Sequence, residues 1–154
     1  MSTKITGGDM FESAVKELAD GMRGRGAYVD VGFQNGATED DGMLTAAVAA
    51  LNEYGVPSRG QPPRPFFRRM IAKEKGQWPA TAGKLLKQAD YDVVEAVGVM
   101  GDVIKEQIEN SIRELVSPPL AQSTVDRKGF SKPLIDTGNM LNSVTKVVKT
   151  GDAE

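Results

Sequence analysis

From Tyr91 to Leu115 the sequence keeps apolar side chains on one helix face. Val93, Val97, Met100, Ile104, Ile108 and Leu115 form a stripe, and Glu95, Asp102, Glu106, Glu109 and Arg113 fall opposite it. A helix of this length is a rigid spine, and the remaining elements have to pack on its apolar side. Gly98 and Gly101 inside it each cost about 1 kcal/mol relative to alanine, which predicts close approach of another element to the backbone there. Ser117-Pro118-Pro119 ends it.

The rest of the chain reads as shorter pieces around that spine. Asp9 followed by Glu12 fits a capping box, and Phe11, Val15, Leu18 and Met22 predict a first helix to about Gly21. Ala27, Val29, Val31 and Phe33 alternate with Tyr28, Asp30 and Gly32 as in a half-buried strand. Asn35-Gly36 is a turn signal, but no alternating partner follows it at once. Leu44, Ala47, Val48 and Leu51 mark a second helix, with Gly55 at a left-handed end position and Pro57 just beyond. Pro57, Gly60, Pro62, Pro63 and Pro65 predict a stiff, extended loop over 57–65. Pro65 then suits the first position of a short basic helix carrying Phe66, Phe67, Met70 and Ile71. A short segment from Leu120 to Lys128 leads to a turn at Gly129. Ser143 to Lys149 reads as a final strand, with Val144 and Val148 on one face and Val147 on the other. The expectation is one α+β domain over 1–154, helix-rich, with one long amphipathic helix and a small antiparallel sheet.

Composition narrows the chemistry. The chain has no cysteine, which removes disulfides, thiolate metal sites and thiol nucleophiles, and no histidine, the usual general base and commonest zinc ligand. No apolar run approaches the ~20 residues of a membrane helix, and the N-terminal stretch has no signal-peptide core. The protein is expected to be made, and to remain, in a cytoplasm. The net charge of -2 implies no global affinity for nucleic acid or anionic membrane. The charges are nevertheless segregated: Glu39, Asp40 and Asp41 stand together in an acidic early region, and Arg59, Arg64, Arg68, Arg69, Lys73, Lys75, Lys84 and Lys87 follow in a basic one. Two such regions could pair head to tail between copies, or could simply be two solvated faces.

Individual motifs give little support for catalysis. Asp136-Thr137-Gly138 after two aliphatic residues looks like the triplet of an aspartic protease, but only sixteen residues follow it, too few for a flap and the further core strands. The alternative is a helix cap or Asx-turn, with Thr137 and Gly138 in the turn. Gly76 to Lys84 departs from a phosphate loop in spacing and in the Leu85 that follows. Glu39-Asp40-Asp41 lacks the ligand spacing of a calcium loop. No catalytic residue, metal or cofactor is expected. Trp78 before Pro79 suits an interface anchor, core packing or packing at a helix start. The basic stretch with Phe66 and Phe67 interleaved could touch a nucleic-acid backbone. On a helix, however, both rings are expected inward, which leaves Arg64, Arg68 and Arg69 for acids of a neighbour.

Three segments occur in an order that carries a resemblance. They are Arg64-Pro65-Phe66-Phe67-Arg68 after the proline-rich loop, Ser117-Pro118-Pro119-Leu120 with Thr124-Val125 and Arg127-Lys128-Gly129 after the long helix, and Lys132-Pro133-Leu134-Ile135-Asp136-Thr137-Gly138 before the last strand. The set resembles the tail-completion, or virion-morphogenesis, proteins of long-tailed bacteriophages, including tail components of the lambdoid type. The resemblance implies a non-catalytic structural protein that assembles as a homo-oligomeric ring in the neck, at the head-proximal end of the tail, and joins tail to head. Other neck, tail-tube or head-connector proteins would be its partners, with non-specific contact to phage DNA in the channel and none to a membrane. Its place would be the virion, after assembly in the host bacterial cytoplasm. Arg64 to Arg68 and Leu134 to Gly138 are the recurrent positions of that family, whereas Glu39 to Asp41 lies outside the pattern. Alternatives are a tail terminator or head-closure protein, a DNA-binding accessory protein and a dimeric aspartic protease. On the ring reading, reversing charge at Arg64, Arg68 and Arg69 is expected to abolish joining and leave the monomer folded.

Overall fold

The computed structural model describes residues 26–33, 36–129, 134 and 138–151, together with Ser13 and Lys16. In chain order these form β1 (Gly26–Phe33), α1 (Thr45–Tyr54), a 3-10 turn (Pro57–Arg59), α2 (Phe66–Glu74), α3 (Trp78–Gln88), α4 (Val93–Glu114), α5 (Gln122–Lys128), α6 (Asn139–Asn142) and β2 (Val144–Gly151). The described residues thus make the expected helix-rich α+β arrangement with a two-stranded antiparallel sheet. Apart from Ser13 and Lys16, the helix expected over 9–21 falls outside the described residues. So do Asn35 of the expected turn and Pro133, Asp136 and Thr137 of the late motif.

Helix α4 is the spine. The Asp92 carboxylate begins it by accepting from the amides of Val94 (2.9 Å) and Glu95 (3.0 Å), which satisfies two of the donors a helix start leaves open. Ala96, Met100, Gly101, Ile108 and Ile112 are buried along it, and Leu115 just beyond its end is buried too. Both strands, α2 and α3 pack against it. The two glycines lie under the sheet: a Cβ on Gly98 would stand 3.8 Å from Val148 Cγ2, and one on Gly101 only 2.7 Å from Val29 Cγ2. Close backbone approach is therefore real at Gly101 and slight at Gly98.

The partner of β1 comes from the far end of the chain, which is why no second strand follows β1 directly. Val29, Val31 and Phe33 pair with Val148, Lys146 and Val144, and this face turns toward α4. Lys146 lays its stem along the helix and donates from Nζ to the Gly98 carbonyl (2.7 Å) and to Asp102 (2.5 Å). Val147 faces the other way, as its alternation requires.

Helix α2 begins one residue later than Pro65, which acts as its cap position. Phe66 is almost wholly buried and meets Phe33 edge-on, with ring centroids 6.1 Å apart. Ser111 of α4 donates to the Phe66 carbonyl at 2.7 Å. Apart from the helix start considered at Trp78, helix α3 was not expected from the sequence. Its start carries Pro79 in the first turn, and Trp78 Nε1 donates to Gln107 Oε1 (3.0 Å) on α4.

The buried positions of α1 are Thr45, Ala49 and Glu53, while Leu44, Ala47 and Leu51 of the residues that mark it are exposed; the Glu53 carboxylate reaches the open amides at the start of α2. One expectation is corrected here: 57–65 is not an extended arm. Its first turn is 3-10, Val56 and Gln61 exchange backbone bonds of 2.9 and 3.1 Å, and the chain doubles back against Gly55. Gly55 has φ +74, and a Cβ there would stand 2.6 Å from the Pro63 nitrogen, so only glycine fits.

Candidate functional site

The loop after α1 turns back, and this places Arg64 between α1 and the segment that follows α4. Arg64 is 5% exposed. Its Nε donates to the Pro118 carbonyl and its Nη2 to the Pro119 carbonyl, both at 3.2 Å. Proline carbonyls just past a helix end have no repeating backbone donor, and a planar guanidinium supplies two donors in a fixed fork. Burial pushes the Arg64 pKa below its ordinary value; at physiological pH the group stays charged. The Arg64 amide also donates to the Asn52 carbonyl (2.7 Å), which ties the same residue to α1.

A second buried charge stands next to it. Glu53, 5% exposed, accepts from the amides of Phe67 (2.9 Å) and Arg68 (3.1 Å) and from Arg68 Nε (2.8 Å). The carboxylate of one helix thus caps the next and sits at the positive end of its dipole. Arg68 also donates to the Glu53 carbonyl (3.1 Å) and lies 5.0 Å from the centre of the Tyr54 ring.

Above Arg64 opens a groove of about 790 Å³. Glu39, Asp40 and Asp41 line one part of it, Arg59 and Gln61 another, and Pro119, Thr124, Arg127, Leu134 and Gly138 the rest. All three segments of the resemblance therefore border one cavity, although they are far apart in sequence. Asp40 accepts from Asn139 Nδ2 (3.0 Å), and Asp41 accepts from the Met43 amide (3.0 Å). Glu39 Oε1 is buried with no hydrogen-bond partner among the described residues. Arg59 and Arg127 are exposed and form no ion pair among the described residues. Nowhere among those residues do three acidic groups converge closely enough to hold a metal ion, and no helix there is long and apolar enough to cross a membrane.

The other expected contact residues are dispersed, and several are revised. Arg64 is not an outward cation awaiting a neighbour but a fastener inside the chain, whereas Phe66 points inward as expected and is part of the core. Arg68 finds its acid in Glu53 of the same molecule. Reversing charge at Arg64 and Arg68 would therefore damage the fold itself. Phe67 is half-buried and borders the groove between α2 and the outer face of the sheet, and Trp78 packs on the core cluster. Arg69 lies apart, beside Lys73 and Glu114. Of the basic region, Arg59 and Arg64 line the same groove as Glu39 to Asp41, whereas Arg68, Arg69 and Lys73 lie away from it. Glu53 was missed as a site residue, and its only sequence signal is a lone acid at the end of an otherwise uncharged helix. Of the late turn motif, Leu134 is buried in the core and Gly138, with φ +86, opens α6.

Compared with models of known protein families, with curated proteins and with solved structures, the chain gives no match.

Proposed function

We propose that the chain is a structural component of a tailed-bacteriophage virion that assembles as a ring at the head-tail junction, completes the tail and joins it to the head. The observation that carries this reading is the Arg64 fork on the Pro118 and Pro119 carbonyls. It binds two of the three segments that resemble the tail-completion proteins, and part of the third, Leu134 and Gly138, borders the same groove. Segments that recur together for a shared reason are expected to meet in space, and these do. The rim of that groove carries both signs of charge, with exposed Arg59 and Arg127 near Asp40 and Asp41, as suits the polar rim of a protein-protein contact.

The experiment is removal of the gene product from an infected culture, followed by imaging. Free heads beside unattached tails are the expected result, and normal particles in normal yield would end the proposal. A finer version combines Arg59→Glu with Arg127→Glu. Both side chains are exposed, so the monomer keeps its fold while joining fails.

A further inference from the structure

From Met43 to Asn52 the chain carries no charged side chain, and a helix apolar on every side ordinarily lies inside a protein. Helix α1 does not. Its inward positions are Thr45, Ala49 and Glu53. On the opposite side Leu44 is 49% exposed, Leu51 37% and Tyr54 66%, with Ala47 and Ala50 exposed among them and Met43, 40% exposed, just before. At 3.6 residues per turn the four helical positions among them, Ala47, Ala50, Leu51 and Tyr54, fall within an arc of about 100°, and Met43 and Leu44 lead into it. They make a continuous apolar strip that nothing covers among the described residues.

The strip has unlike ends. Exposed Asp40 and Asp41 precede its N-terminal end. At its C-terminal end the Arg68 guanidinium rests over the Tyr54 ring, with 56% of the Arg68 side chain exposed. The ten residues of α1 span about 15 Å. Two such strips laid antiparallel bring the acidic end of each copy toward the other's Arg68, which bonds Glu53 yet stays half exposed, and their helix dipoles also oppose favourably. A parallel pairing would set acid against acid.

We propose that the outward face of α1 is a two-fold, antiparallel contact between two copies of this chain. Ala47 and Ala50 near its centre let the helices approach at the short end of the usual range of about 8–10 Å. Such a contact uses the same patch on both partners, so it is separate from the head-to-tail contacts of a ring and does not depend on them.

The test uses the full chain and its lack of cysteine. Light scattering should show a dimer that Ala47→Glu weakens about a hundredfold or more, since each copy then buries an unpaired carboxylate, with circular dichroism unchanged and the two proteins melting alike once diluted to monomers. Under mild oxidation Ala50→Cys, close to the two-fold axis, should cross-link to its own copy. Leu44→Cys should not do so alone, but should when mixed with Tyr54→Cys. A strictly monomeric protein overturns the proposal, as does a dimer indifferent to Ala47→Glu or a faster cross-link through Leu44→Cys alone. A monomer that Ala47→Glu destabilises would show instead that residues 1–25 of the same chain cover α1, and that also overturns it.

Discussion

Gly98 and Gly101 stand three residues apart on the same helix under the same sheet, yet alanine should act on them with opposite sign. Removing a helical glycine gains about 1 kcal/mol from backbone entropy alone. At Gly98 the new methyl meets Val148 at 3.8 Å, an ordinary contact, so most of that gain should survive. At Gly101 the methyl would lie 2.7 Å from Val29 Cγ2 and 3.1 Å from Lys146 Cδ. The lysine stem can shift, but the branched valine is held at χ1 and by its strand. Overpacking of this kind costs about 1–3 kcal/mol, which leaves Gly101→Ala neutral to about 2 kcal/mol destabilised. The two variants should therefore differ by about 1–3 kcal/mol, or several degrees in melting temperature for a chain of this size. Urea unfolding at fixed pH measures the difference directly, and adding Val29→Ala should recover part of the Gly101→Ala loss through a double-mutant coupling. If Gly101→Ala proves as stable as Gly98→Ala, the sheet does not approach the helix as described.

Glu53→Ala strips the buried cap from α2 and should cost about 1–3 kcal/mol in chemical unfolding, whereas Arg68→Met, which leaves the carboxylate its two backbone donors, should cost less. Arg64→Lys keeps the charge but loses the fork on Pro118 and Pro119, so it should lower the melting temperature and speed hydrogen exchange around 117–124; an unchanged protein would refute the fastener role. At Glu109 burial raises the carboxyl pKa, but the hydrogen bonds and charges of Lys105 and Arg113 outweigh it and hold the group below its usual value. Its stabilisation is thus present above the unfolded value of about 4.3 and is lost as pH falls through the lowered folded value, so the melting-temperature gap between wild type and Glu109→Gln should close in acid.

What the sequence shows well is what depends on local periodicity. The α4 stripe, the alternation of β1 and β2 and a close approach to the helix backbone at Gly101 could be read from the sequence, though not that the sheet makes that approach. The failures share a cause. Charged side chains are ordinarily exposed, so Arg64 was expected to face a neighbour and Glu53 was passed over; their partners, the amides of α2 and two proline carbonyls, become visible only when distant segments meet. The inward face of α1 was equally hidden, because it carries Glu53 on the α2 amides and not the apolar residues that mark the helix. Helix α3 has no buried residue and so lacks the strong apolar stripe that identified α4. The groove could not be read at all, because its walls come from segments up to a hundred residues apart.

The central claim is that this chain acts as a built-in part of a virion and not as a free catalyst. Labelling the protein and locating it in purified, infectious particles by electron microscopy tests that directly. The account predicts several copies per particle, confined to the junction of head and tail. Infectious particles that contain none of it would contradict the account.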